Sequence, residues 1–308
     1  MKFISPLTNK ECTEIVQKLS VKDIDSLYKK KMKFSVKDEF EEDYIYLVRE
    51  ASTDFEFFSP FRAGSKKFYQ NFYSNDQYNK TKEEYHFAAN YISQNDSVLD
   101  IGCGEGNFAK HLKTTNFTGL DMTPLSVKKA KDKGITAYNL TIEQYLEKFE
   151  AKKFSRVVSF QVLEHVEDPL GFIKNCLLPL NQDGLLILSV PNNDGYKYLE
   201  VNSVTNIPPH HISRWSLKTF IHVAQILQLE IVDYNYDTDT LKNHLRFGIL
   251  QKIIRRNGRS RVIIKWNLTT RIINLVLNVF FHAFKPILNV TSPSVSGHSL
   301  TVVLRRKS

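Results

Sequence analysis

The sequence predicts an α/β fold, a largely parallel sheet covered on both faces by helices. Three observations carry that prediction. Short apolar strands alternate with helical patterns from about residue 82 onward. A glycine-rich turn follows the first of these strands. An acid, Asp121, ends the second strand, 21 residues after Asp100 in the first.

Residues 1–80 form a small mixed segment. Tyr44-Ile45-Tyr46-Leu47-Val48 is an apolar stretch, Phe58-Ser59-Pro60 a turn, and Phe68, Tyr69, Phe72 and Tyr73 a dense aromatic run. From about Lys82 the spacing of Tyr85, Phe87, Ala88, Tyr91 and Ile92 predicts a helix. Ser97–Ile101 is a short buried strand, followed by a glycine turn and a helix carrying Phe108, Ala109 and Leu112. Phe117–Asp121 is the second strand, with a helix through Val127 and Ala130 behind it. Ile135–Tyr138, Arg156–Phe160 and Gly184–Val190 follow as strands, with helices over 142–149 and 170–178 between them. A helix over 217–227 leads to a sixth strand, Leu229–Asp233, and Ser299–Leu304 is the last. Residues 241–290 break the rhythm as two helices parted near Asn257-Gly258. The resulting segmentation is a cap over 1–80, a core over 81–240, a basic helical insertion over 241–290 and a final core strand in 291–308.

Composition sets bounds. The chain has 308 residues and a net charge of +9. Residues 241–308 hold 13 Lys and Arg and no acid, leaving 29 basic against 33 acidic groups elsewhere, a net of −4. That asymmetry points to an anionic partner for the basic region. Three cysteines without a pairing pattern exclude a disulfide scaffold and a Cys-built zinc site. No metal is expected. The opening MKFISPLTNKECTEIV is too polar and acidic for a signal peptide. The longest uncharged apolar stretch, Ile272 to Phe284, falls short of the roughly 18–20 residues a membrane span needs.

The strongest motif is Val98-Leu99-Asp100-Ile101-Gly102-Cys103-Gly104-Glu105-Gly106-Asn107-Phe108. Glycines let the main chain approach a ligand with no Cβ in the way. The helix start behind them is expected to offer free N–H groups to an anion. Asp121 can hold both hydroxyls of a ribose. A dinucleotide fingerprint would need glycine where Asn107 stands, so the pattern is DxGxGxG instead.

On these residues the chain resembles the class I S-adenosylmethionine-dependent methyltransferases over about residues 82–235 and the final strand. Gln161-Val162-Leu163-Glu164-His165-Val166-Glu167-Asp168-Pro169 looks like the family's LEHVxDP segment. Gly184 to Asn192 looks like its G-x-L-x-x-x-x-P-N strand, and Pro208–Ser216 resembles the PPHHxxRWS stretch of members acting on small molecules and sugars. The resemblance implies a Rossmann-like, seven-stranded, mostly parallel sheet. It implies S-adenosyl-L-methionine as cofactor, with Gly102, Cys103, Gly104 and Gly106 under the methionine portion and Asp100 orienting its amino group. Asp121 would bind the ribose, Met122 pack on the adenine, Leu140 contact it through the backbone, and Gln161 lie beside the methionine portion. Where relatives place an acid near the adenine, this chain has Asn139-Leu140-Thr141-Ile142-Glu143. The N-terminal segment resembles a zinc ribbon that has lost its CxxC ligands, a metal-free remnant expected to pack over the cofactor.

Methyl transfer needs a positioned and desolvated nucleophile, and an amine or hydroxyl acceptor also needs a base. His210, His211 and His165 are the candidates, with the pair at 210–211 ahead of His165. Arg214 and Trp215 are read as surface pairing and core packing. The expected acceptor is an oxygen on a sugar, a glycan or a lipid-linked small molecule. The alternatives are an RNA or protein methyltransferase, or a non-catalytic S-adenosylmethionine-binding protein. For residues 241–290 an anionic membrane surface ranks first, with Trp266, Phe280 and Phe281 at the interface. A substrate lid or homo-oligomer contact ranks second and nucleic acid third. The expected location is the cytoplasm, peripheral at the inner membrane face.

Overall fold

Parallel strands buried on both faces read as continuous apolar runs, and the runs in this sequence become the strands of one sheet. The computed structural model describes the chain apart from residues 74–82, 150–151, 196–199, 256–260, 289–290 and 308, and without the side chains of 239 and 291–296. In chain order the strands are β1 (Val98–Ile101), β2 (Phe117–Leu120), β3 (Thr136–Tyr138), β4 (Phe154–Phe160), β5 (Leu180–Pro191), β6 (Leu229–Thr240) and β7 (Thr291–Arg306). Their spatial order is β6-β7-β5-β4-β1-β2-β3. The pairs β1–β2, β2–β3, β1–β4 and β4–β5 run parallel. Strand order therefore reverses between β1 and β4, and ligands bind sheets of this kind outside the carboxyl ends at that switch point.

The intervening helices are α1 (Glu83–Ala89), α2 (Pro124–Asp132), α3 (Ile142–Lys148), α4 (Pro169–Leu177) and α5 (Leu217–Ile226). Local chemistry starts them. Pro124 and Pro169 occupy first helical positions, where a missing N–H costs nothing. Asp168 caps α4 by accepting from Gly171 N at 2.9 Å, which explains the Asp-Pro pair of its motif. Thr141 and Gln144 form a reciprocal capping box on α3. The core beneath β1 gathers Ala88, Val98, Phe108, Val158, Phe160 and Val303.

Several elements differ from expectation. The helix expected after the glycine turn is a single 3₁₀ turn, Phe108–His111. Only ten residues separate Gly106 from Phe117, and Thr114 spends part of that length in a turn, donating to Asp96 O and accepting from Asn116 N. α1 stops at Ala89, so Tyr91 and Ile92 lie beyond it. The Tyr91 hydroxyl instead donates to the Asp233 carboxylate at β6. Burial and that carboxylate push the Tyr91 phenol up to about 12. β6 and β7 both extend past their expected limits. The expected helix start at Lys82 and the break at Asn257-Gly258 lie outside the described residues.

The chain divides into two units, neither of them contiguous. One comprises 77–190, 217–235 and 299–308, and the other 1–76, 191–216 and 236–298. Residues 191–216 thus group with the N-terminal segment rather than with the core, and the basic region joins them instead of standing alone. In this unit Glu14–Ser20, Tyr44–Glu50, Phe55–Ser59 and Ser213–Arg214 form an antiparallel four-stranded sheet. Tyr28, Ile45, Phe58, Phe68, Ile207 and Val262 meet in its core.

Buried amide side chains fix the basic region to this unit. Gln17 Oε1 accepts from Val262 N at 2.8 Å, and its Nε2 donates to Ile263 O at 2.6 Å. Asn202 Oδ1 accepts from Ile264 N at 3.0 Å and its Nδ2 donates to Ile264 O at 3.2 Å. Trp266 packs on the Val201, Leu250 and Ile264 cluster and Phe281 is buried, so two of the three aromatics expected at an interface face inward. Among the described residues no helix is long and apolar enough to cross a membrane. Replacing Gln17 by Leu would strand a buried N–H and a buried carbonyl of the 262–263 segment. The expected loss in urea unfolding is about 1–3 kcal/mol.

Candidate active site

The turn after β1 owes its shape to glycine. Gly102, Gly104 and Gly106 have φ of 80°, 55° and 71°, the left-handed region that side chains disfavour. Their surroundings differ. A Cβ on Gly102 would collide with Val162, and one on Gly106 with Ile135. A Cβ on Gly104 would meet nothing within 4 Å. Two of the three glycines make room for the protein's own packing, and the middle one faces open space.

The amides of the turn are largely spoken for. Gly102 N and Cys103 N donate to Leu120 O, and Gly106 N donates to Cys103 O. Gly104 N donates to Asp121 Oδ2 at 2.9 Å. The turn therefore does not present the set of free donors expected for an anion, and the 3₁₀ turn behind it is too short to add them. Backbone carbonyls of β2 and the turn itself take those donors first.

Asp121 is the hub. Its Oδ1 accepts from Thr123 N at 2.7 Å, its own N–H donates to Tyr138 O, and its carbonyl accepts from Asn139 Nδ2 at 2.9 Å. Burial pushes its carboxyl above the usual carboxylate range, against the lowering pull of the Thr123 and Gly104 amides. Beside it Met122 is 72% exposed, an apolar wall open on one side. Leu140 is half-buried at the end of β3. Asp100 is buried within β1. The Cys103 side chain turns inward against Gly119, which has no Cβ to obstruct it. Burial, then the Asp100 and Asp121 carboxylates, push that thiol far up, so it stays protonated and serves as filler. Tyr85 packs its ring on Phe108 and Phe160 at centroid distances of 5.3 and 4.9 Å, and burial followed by the Asp100 charge raises its phenol as well.

At the end of β4, Gln161 adopts a left-handed φ of 58°. Its N–H donates to Ser189 O at 2.8 Å, and its Nε2 reaches Ser189 Oγ at 3.4 Å and Ser299 Oγ at 3.3 Å. Thr301 Oγ1 donates to Ser189 Oγ at 3.1 Å. Sequence reasoning singled out Gln161 but missed these hydroxyls and Asn139. The signal available was a small polar residue in each apolar strand, as in Ile187-Leu188-Ser189-Val190.

His165 belongs to one unit of the chain and the His210-His211 pair to the other. His165 closes a 3₁₀ turn after β4, with Nε2 3.7 Å from the buried Glu164 carboxylate. His210 and His211 belong to the other unit and are buried there, after a cis Pro208-Pro209 bond. The His210 ring lies 4.0 Å from that of Phe72 and 4.4 Å from that of His211, and its carbonyl accepts from the Tyr69 hydroxyl at 3.2 Å. Arg214 is not a surface residue: its Nη1 faces Glu56 Oε2 at 3.5 Å with both side chains buried. Trp215 is fully buried, edge-on to Phe55, with Nε1 donating to Ser213 Oγ at 3.0 Å.

Comparison with known proteins agrees with this geometry. A family model described as a methyltransferase domain matches residues 72–234, more than half of the chain. The ubiquinone biosynthesis O-methyltransferase of Actinobacillus pleuropneumoniae serotype 7 (strain AP76) is 37% identical over 115 residues, 34% of this chain and 49% of that protein. The protein of the same name from Histophilus somni (strain 2336) is 35% identical over 128 residues, 38% and 53% of the two chains. The chain thus spans about half the length of the curated relatives it matches. A crystal structure of a SAM-dependent methyltransferase from Archaeoglobus fulgidus shares the fold at a TM-score of 0.50 and 16% identity, covering 76% of this chain and 99% of that one. With the strand order, the glycine turn and the acid after β2 in place, the chain belongs to the methyltransferase-domain family.

Proposed function

We propose that the protein O-methylates a hydroxyl on a small, lipid-linked acceptor. The observation that carries the reading is the open face of Gly104 beside the half-buried Asp121 carboxylate. Bare main chain admits a bulky ligand, and an ionised acid next to it accepts from vicinal hydroxyls. These residues fit S-adenosylmethionine. Gly104 would lie under its methionine portion, Asp121 would take the ribose hydroxyls, and the exposed Met122 would cover one face of the adenine. When bound, the cofactor supplies an electrophilic methyl group on a sulfonium.

The chain's own residues then have two tasks. Gln161, held by Ser189 and Ser299 at the end of β4, would lie beside the methionine portion. A base must take the acceptor's proton. We assign this role to His165 in place of the pair ranked first from sequence. It sits just past the carboxyl end of β4, in the same unit as the glycine turn, with its Nε2 3.7 Å from a Glu164 carboxylate oxygen. His210 is packed between aromatic rings, which suits a structural role.

The choice of oxygen comes from the curated relatives, which are named for O-methylation in ubiquinone biosynthesis. Of the acceptors expected from sequence, that name favours the lipid-linked one over a sugar or glycan. Labelled methyl groups followed from S-adenosylmethionine into cell extract are expected in the solvent-extractable fraction as an alkali-stable ether. Label in glycan, RNA or protein would overturn the acceptor. His165→Asn is expected to lower kcat by about 10²-fold with little change in cofactor affinity.

Two predictions concern the cofactor. Gly104→Val should weaken S-adenosylmethionine binding and lower the melting temperature through its left-handed φ alone, whereas Gly106→Val should destabilise the fold further by adding a clash with Ile135. Asp121 must be ionised to accept from the ribose, and its pKa is raised. Affinity measured by calorimetry should therefore be full above that raised pKa and fall as the pH drops through it, earlier than for an ordinary carboxylate. Asp121→Asn should bind roughly thirtyfold more weakly at neutral pH and lose that dependence, as expected for about 2 kcal/mol of charge-assisted hydrogen bonding.

A further inference from the structure

The helix Leu268–Ala283 carries two apolar faces, although packing uses one. Leu277 packs on the Val201, Leu250 and Ile264 cluster, and Phe281 is buried. At about 100° per residue, Leu268, Ile272, Leu275, Val276 and Val279 lie on the other side of the helix. All five are between 52% and 75% exposed. Phe280, Phe284 and Ile287 continue the exposed apolar surface toward the short helix Lys285–Leu288. Between the two faces Arg271, Asn274 and Asn278 line a cleft of about 390 Å³ together with Lys30, Trp266 and Leu275. Lys30 is the middle of three consecutive lysines closing the helix Val21–Met32.

A contiguous apolar surface of this kind marks an interaction site. The charge around it selects the occupant. Residues 241–308 contain no Asp or Glu, and the cleft beside the face is flanked by Lys30 and Arg271. A second copy docking through the same patch would bring those cations against their own kind. A sheet of lipid phosphates over acyl chains satisfies both features at once, because an amphipathic helix in the interface plane buries its apolar side and turns its cations to the headgroups. At 16 residues the helix is suited to lying in that plane rather than crossing it. We propose that this face docks on an anionic lipid bilayer, with Leu268–Ala283 in the interface and Lys30 and Arg271 against the phosphates. The proposal stands whether or not the acceptor reading holds, since it rests on a different surface.

The test is co-sedimentation of the full chain with vesicles of phosphatidylcholine and phosphatidylglycerol in equal parts, against phosphatidylcholine alone, at low and high salt. Wild type is expected to pellet with the anionic vesicles and to be released by salt. A Leu268→Asn, Leu275→Asn, Val279→Asn variant, altered only at exposed positions, should partition at least about tenfold more weakly with unchanged far-ultraviolet dichroism. An Arg271→Glu, Lys285→Glu variant should lose the preference for anionic lipid. Failure of wild type to pellet at low salt, or equal partition of the apolar variant, would overturn the proposal. So would a vesicle-independent dimer that the apolar variant abolishes, which would assign the face to a second copy.

Discussion

One half-buried carboxylate organises the ligand end of the sheet. Asp121 accepts from the turn after β1 through Gly104 N and from the start of α2 through Thr123 N. Its main chain is paired with Tyr138 O and Asn139 Nδ2 at the end of β3. Three successive strand ends thus converge on a single residue. Burial opposes its ionisation while the two amides favour it, and the net result is a carboxyl held above the usual carboxylate range. The glycine turn depends on this arrangement, because Gly104 reaches the carboxylate only in a left-handed conformation.

The sheet and its turn were legible because their signals are local. A strand of four buried residues, a positive-φ turn and an acid at the next strand end are read within about two dozen positions. The capping pairs Asp168-Pro169 and Thr141–Gln144 are local too. What each glycine is for was not legible. Gly102 and Gly106 are explained by Val162 and Ile135, residues from other segments whose positions only the fold supplies. The same holds for Gly119, which accommodates the Cys103 side chain, and for Asn139, which holds a backbone carbonyl.

The division into units was hidden for a related reason. Gln17 bonds to Val262 across 245 positions, and Tyr28 donates to Val204 O at 2.9 Å across 176. Hydrogen bonds at such separations leave no periodicity. The basic residues dominate the composition of 241–290 and suggest a free-standing insertion. The energetic anchors are instead a few buried amides and the apolar Val262-Ile263-Ile264 run. Arg214 misled in the same way. A cation reads as a surface residue, yet Glu56 and Asn206 O receive it in the interior, and burial raises the Glu56 carboxyl despite the facing guanidinium.

Gln161 shows how the site holds strain where geometry matters. A non-glycine residue at φ 58° costs about 1–3 kcal/mol and persists only when its surroundings over-determine it. Here they do. Its N–H is fixed by Ser189 O, and its side chain by two hydroxyls from β5 and β7, one of them held in turn by Thr301. The left-handed residue follows the last residue of β4 and starts the segment in which Val162 abuts Gly102. The two edges of the crevice, the glycine turn after β1 and the Gln161 corner after β4, are therefore shaped against each other by direct packing. A change at either one alters the space left for the ligand between them.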